Sequence, residues 1–169
     1  SSSVSFDLKT DKTGLELLVK KAGGKNIQIE FSPELPLGTE IISAKINKKT
    51  VTPKIIHHDQ SEQLSITLDL ESESVVEVEY KATVAIYLLE SVAPIGITNE
   101  GIKILYQELN GKVLSIFCEV KPNREYELGV LNGELIKTIH GAEYKNGKLM
   151  VKNIGEEKNF NKQKIEIAL

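Results

Sequence analysis

The chain has 169 residues but no tryptophan, one cysteine and one methionine, and only 5% of its residues are aromatic. A lone Cys118 allows no internal disulfide and no cysteine-based zinc cluster, which removes the disulfide-rich secreted class but leaves the compartment open. Nowhere do eighteen apolar residues run together, so no membrane-spanning helix is expected. The start, Ser1-Ser2-Ser3-Val4-Ser5-Phe6, carries no basic segment leading into an apolar one, and without Met it reads as a piece of a longer chain. An excess of one charge is also missing. Twenty-one basic and 24 acidic side chains give a net charge of −3, with no basic cluster interleaved with aromatics, so nucleic acid is not an expected partner.

What is present suits a globular chain. Forty per cent of the residues are hydrophobic before the 12 glycines are added, enough to build a core. The dominant period is two. Ile27–Phe31, Leu64–Leu70, Val76–Tyr80 and Ile165–Leu169 alternate apolar with mostly polar side chains, the pattern of a strand with one dry and one wet face. Further strands are expected at Val4–Lys9, Leu15–Lys20, Glu40–Ile46, Val51–His57, Ile102–Glu108, Lys112–Val120, Glu125–Leu131, Leu135–His140 and Lys148–Lys152. The one helical candidate, Leu15 to Ala22, lies between two glycine-containing turns and is too short to be stable alone, so its Leu15/Leu17/Val19 alternation is read as strand.

Asn110-Gly111, Asn132-Gly133 and Asn146-Gly147 each suit a type I′ hairpin, in which both central residues need positive φ. All three lie in the second half. The first half turns through Thr13-Gly14, Gly23-Gly24 and the loop Ser32–Gly38, whose two prolines cannot donate to a central ladder. Between the halves, Ala85–Gly101 combines an apolar stretch with Pro94, Gly96 and Gly101, and is expected to be a crossover buried between two modules. The expectation is therefore an all-β chain of two small antiparallel β-sandwich-like modules, immunoglobulin-like or related, at residues 1–90 and 91–169.

Chemistry-bearing residues form no catalytic constellation, and no catalytic residue, metal site or cofactor is expected. His57 and His58 would project to opposite faces of a strand, and Asp59 completes no ligand spacing. Cys118 shares a face with Ile116 and Val120, where a thiol has a raised pKa and is inert. Glu71/Glu73 and Glu77/Glu79 lie along one strand or turn, whereas glycosidase acids face each other across a cleft. Sugar stacking needs flat aromatic surfaces. Phe31, Tyr80 and Tyr126 sit at core-facing positions, which leaves Tyr87, Tyr106 and Tyr144 as candidate ligand contacts.

One passage is more specific. Phe31-Ser32-Pro33-Glu34-Leu35-Pro36-Leu37-Gly38-Thr39-Glu40, followed by Ile42–Lys49, resembles a phrase of β-sandwich regions at the C-terminal end of bacterial glycoside hydrolases with an (α/α)-barrel, glycogen-debranching-like catalytic domain. Lys48 stands where glycine would be usual, which argues against a tight two-residue turn there. Ile102–Leu105, Arg124–Leu128, Lys137–Ala142 and Lys164–Ile167 are also similar to such tails. The resemblance transfers no catalytic residue. It implies a non-catalytic accessory region of a multidomain carbohydrate-active bacterial protein, extracellular or periplasmic, whose partners are other domains of the same polypeptide and polysaccharide. The alternatives are a free-standing extracellular immunoglobulin-like structural or adhesion module, and behind it a carbohydrate-binding module.

Overall fold

Alternating sequence becomes seventeen antiparallel strands in the computed structural model, which describes residues 3–58, 60–89, 101–153 and 160–169. The strands divide into two units, Ser1–Ala82 and Thr83–Leu169.

In the first unit the strands are β1 (Ser3–Thr10), β2 (Gly14–Ala22), β3 (Ile27–Phe31), β4 (Glu34–Leu35), β5 (Glu40–Ile46), β6 (Lys49–Thr50), β7 (Lys54–His57), β8 (Glu62–Leu70) and β9 (Glu73–Lys81). One sheet has the order β1-β2-β9-β5-β6, and in the other β8 pairs with β3, β4 and β7. Leu15, Leu17 and Val19 of β2 and Val76 and Val78 of β9 are buried in one cluster with Leu64, Ile66, Leu68 and Leu70 of β8. Every one of these positions follows the period of two, and each fully buried leucine or valine contributes roughly 1.5–3 kcal/mol relative to exposure.

The second unit contains β10 (Ala85–Leu88), β11 (Lys103–Asn110), β12 (Val113–Val120), β13 (Arg124–Leu131), β14 (Thr138–His140), β15 (Glu143–Lys145), β16 (Lys148–Asn153) and β17 (Asn161–Ala168). Its sheets run β10-β13-β16-β15 and β11-β12-β17-β14. Ile116, Cys118, Val120, Ile165 and Ile167 are buried from one sheet, and Ile86, Leu128, Leu149 and Val151 from the other. Between them, the buried Gln107 of β11 donates its side-chain amide to the carbonyl of Ile86 in β10 at 3.1 Å. That bond satisfies a carbonyl which would otherwise cost about 1–3 kcal/mol if buried without a partner.

Several expectations change. Ala85–Leu88 is not part of a crossover but an edge strand, paired with β13 through Ala85↔Leu131 to Leu88↔Leu128. Residues 90–100, the rest of that stretch, lie outside the described residues, as does Asp59. Of the three Asn-Gly turns, only Asn146-Gly147 has positive φ at both residues. At Asn110-Gly111 the asparagine is still paired, with Val113, so the loop is Gly111-Lys112 with positive φ at the glycine alone, the pattern of type II′. Asn132-Gly133 makes no hairpin: Asn132 adopts a left-handed conformation, anchors its side chain to the carbonyl of Thr83 at 2.8 Å, and opens a 3₁₀ turn over Gly133–Leu135. That turn displaces the first half of the strand expected at Leu135–His140. Likewise the strand expected from Val51 begins only at Lys54, after Pro53.

The tight turn after β5 forms in spite of Lys48. Ile46 pairs with Lys49, while Asn47 and Lys48 have φ of 50° and 67°. The reason is tertiary. Asn47 accepts the Val75 N–H on its side-chain oxygen at 2.8 Å and donates its own N–H to the Val75 carbonyl at 2.8 Å, pinning the turn onto β9. Left-handed backbone is unfavourable for a lysine. Lys48→Gly is therefore expected to raise stability by about 0.5–1 kcal/mol, seen as a higher urea midpoint with an unaltered slope.

The β1–β2 connection is fastened by Tyr80 of β9, whose N–H donates to Thr13 and whose hydroxyl donates to the carbonyls of Asp11 (3.0 Å) and Gly14 (3.3 Å). Burial, and then the nearby Asp11 charge, push the Tyr80 hydroxyl above its ordinary pKa. Within the turn, the Asp11 carboxylate accepts the Thr13 N–H at 2.7 Å and the Thr13 hydroxyl at 2.8 Å, which hold its pKa below 3.8. Because the folded value is the lower one, this stabilisation is complete above the unfolded pKa and disappears as pH falls through the folded value. Titration of Asp11 by NMR should show a midpoint under 3.8, and Thr13→Val should move it upward.

Candidate functional site

Tyr87, Tyr106 and Tyr144 are between 40% and 43% exposed, so each reaches the surface of the second unit. They do not share a surface. Tyr87 on β10 stands opposite Gly129 and, one strand further, Lys148. Tyr144 on β15 pairs with Leu149, which pairs with the buried Leu128, so it lies on the core-facing side of that same sheet. Tyr106 belongs to the other sheet, on edge strand β11.

Each ring already has a structural partner. A Cβ at Gly129 would fall within the ring of Tyr87, and one at Gly133 would collide with the hydroxyl of Tyr144. These two glycines provide the seats on which edge-strand tyrosines lie, an aromatic cover over backbone that lacks a side chain. Tyr106 stacks on Phe117 with centroids 4.2 Å apart and planes 16° from parallel. The Lys164 ammonium lies 5.4 Å from the Phe117 ring, continuing the cross-strand row Tyr106–Phe117–Lys164. Lys164 also meets Glu166 at 2.7 Å, a contact that raises the lysine pKa and lowers that of the glutamate. Beside Tyr106 is a hollow of about 240 Å³ bordered by Leu105, Phe117, Lys162 and Gln163. Tyr106 thus combines a stacked ring with an adjoining space.

The other chemistry-bearing residues are also held by their strands. Cys118 is fully buried, its thiol 3.5 Å from the Gln163 carbonyl, and burial pushes its pKa up to about 11. His57 approaches Glu62 at 3.6 Å and His58 meets Gln63 at 3.3 Å, so the adjacent histidines have different neighbours. His140 pairs in register with Glu166. Among the described residues no three His, Cys, Asp or Glu side chains gather in a way that could hold a metal ion.

Glu16, Glu73, Glu77 and Glu79 occupy the outer face of the first unit's larger sheet. Lys9, Glu16, Glu77 and Lys45 form one cross-strand row, and Gly14, Glu79 and Ser43 the next. Lys9 lies 3.6 Å from Glu16, Ser43 donates to Glu79 at 3.4 Å, and further along Lys20 meets Glu73 at 3.2 Å. A shallow depression of about 490 Å³ lies over Gly14, where a Cβ would meet the Val78 carbonyl at 2.6 Å. Lys9 with Glu16 and Glu77 with Lys45 are opposite-charge neighbours worth roughly 0.2–1 kcal/mol each, whereas Glu16 and Glu77 at the centre of the row are like charges that face each other on the solvated side.

Sequence reasoning missed Gln107 and the two glycine seats. Gln107 sits among apolar positions with no local signal of its cross-sheet role, and the Tyr87/Gly129 pairing joins residues whose register is set by the whole sheet. Gly129→Ala is expected to destabilise the chain by about 1–3 kcal/mol. Adding Tyr87→Ala should recover part of that loss, so a double-mutant cycle by urea unfolding should give clearly non-additive values.

No family model, curated protein or solved structure matches this chain.

Proposed function

We propose that this chain is a non-catalytic accessory region of a multidomain carbohydrate-active bacterial protein, one that packs against or positions a catalytic domain. The observation that carries the reading is the apolar strip on β1. Phe6 is 60% exposed, Leu8 50% and Val4 37%, and all three lie on one face of the strand. Phe6 and Leu8 pair with Val19 and Leu17, so their face is the core-facing side of the sheet, extended beyond the cluster that buries β2. Contiguous exposed apolar surface of this kind is characteristic of a contact with another folded body. The similarity of Phe31–Lys49 to glycoside hydrolase tails supports the same setting and an extracellular or periplasmic location. Among the described residues no helix is long and apolar enough to cross a membrane.

A second reading, direct contact with sugar, is favoured by one feature, the stacked Tyr106 beside its hollow. It predicts that Tyr106→Ala abolishes retention on polysaccharide, whereas Tyr87→Ala and Tyr144→Ala do not.

For the leading reading, Phe6→Ser with Leu8→Ser should leave the 169-residue chain folded and reduce its binding of an apolar dye. In the longer polypeptide the same pair should lower thermal stability, because each lost apolar contact is worth about 1–3 kcal/mol. Unchanged stability and activity of the longer polypeptide would remove the packing role.

A further inference from the structure

The β1 strand has a second property, which belongs to its edge and not to its face. β1 is the terminal strand of its sheet, eight residues long, exposed throughout and free of proline. The direction of its backbone groups follows from the turn that joins it to β2. Asp11 donates its N–H to the carbonyl of Gly14 at 3.0 Å, so Asp11 points toward β2. Backbone groups alternate along a strand, so Lys9, Asp7 and Ser5 also point toward β2, while Thr10, Leu8, Phe6 and Val4 direct their N–H and C=O outward. Long edges of this kind are templates for strand addition, and natural proteins normally cover or interrupt them.

We infer that this edge pairs with β1 of a second copy of the chain, antiparallel, about a two-fold axis through Leu8. The charges of the strand select that register. A two-fold pairing centred on Leu8 sets Asp7 of each copy opposite Lys9 of the other. Centring on Phe6 leaves both charges facing serines, and centring on Asp7 or Lys9 places like charges together. Centring on Thr10 would face Lys9 with Asp11, but Asp11 lies in the turn beyond the strand and little of β1 would then be paired, so Leu8 is the centre that joins opposite charges within the strand. It also meets the backbone requirement, because the outward-pointing residues form the hydrogen-bonded pairs Leu8 with Leu8 and Phe6 with Thr10. Asp7 and Lys9 then fall at a non-hydrogen-bonded pair, where side chains approach most closely.

The surrounding sheet fits this arrangement. Lys9 lies 3.6 Å from Glu16, whose cross-strand neighbour is Glu77, so Lys9 would stand between the two-glutamate row of its own sheet and the incoming Asp7. On the opposite face the Phe6 and Leu8 strips of the two copies become continuous. Edge pairing therefore does not depend on the apolar face being covered by another domain, and the two ideas fail separately. This is an isologous contact, closed after two copies because it consumes the edge that forms it.

Sedimentation equilibrium of the 169-residue chain across a concentration series tests the inference. A monomer–dimer equilibrium is expected, weakened by roughly tenfold or more by Asp7→Lys, which places two like-charged pairs in the interface. Combining Asp7→Lys with Lys9→Asp should restore it. Leu8→Pro provides a second variant, because it removes an outward N–H from each copy and leaves the β1–β2 ladder intact. It should be monomeric with an unaltered circular dichroism spectrum. A wild-type chain that stays monomeric throughout, a dimer indifferent to the single charge reversal, or a double variant that fails to recover while remaining folded would overturn the proposal.

Discussion

Successive side chains of a strand face opposite ways, and slipping a strand by one residue exchanges its dry and wet faces. Most of this molecule depends on that constraint. In β12, Leu114, Ile116, Cys118 and Val120 are nearly or fully buried, whereas Phe117 and Glu119 lie on the other side. A one-residue slip would carry Glu119 into the core and expose four apolar side chains. The register is fixed on both flanks, by Leu109↔Leu114 with β11 and by Leu114↔Ile167 with β17. In the first unit, β8 plays the same part, with Leu64, Ile66, Leu68 and Leu70 on one face and Ser65, Thr67 and Asp69 on the other.

Because the faces are so firmly assigned, most groups with chemical potential are occupied in holding strands together. The Cys118 thiol is a core atom with a pKa near 11. On the first unit's larger sheet Glu16, Glu77 and Glu73 each have a lysine as a cross-strand neighbour, Lys9, Lys45 and Lys20. Tyr87 and Tyr144 cover Gly129 and Gly133, and Tyr106 stacks on Phe117. The first strand is different, because its apolar side chains are exposed at a sheet edge. Val4, Phe6 and Leu8 project from a strand that has a partner on one side only. That apolar surface is the part of the molecule the proposed accessory role would use.

Where expectation and structure part, the cause is a long-range contact. The Asn110, Asn132 and Asn146 turns share one dipeptide yet take three forms, because strand pairing ends at a different residue at Asn110-Gly111 and because Asn132 is tied to Thr83. Lys48 accepts a conformation that glycine would take more easily because Asn47 is bonded to Val75. Ala85–Leu88, apolar enough to suggest a buried crossover, is a strand because β13 presents an open edge to it.

The strands at Ile27–Phe31, Leu64–Leu70, Val76–Tyr80 and Ile165–Leu169, the choice of strand for Leu15–Ala22 and the inert setting of Cys118 were determined by the amino-acid order alone, since they depend only on local period and same-face neighbours. The two-residue strands β4 and β6, the edge strands β10 and β15, the seating of Tyr87 and Tyr144 on glycines, and the bridge from Gln107 to Ile86 were decided by tertiary structure. Each joins residues far apart along the chain, and a pairing of that kind has no period to reveal it until the neighbouring strand is in place.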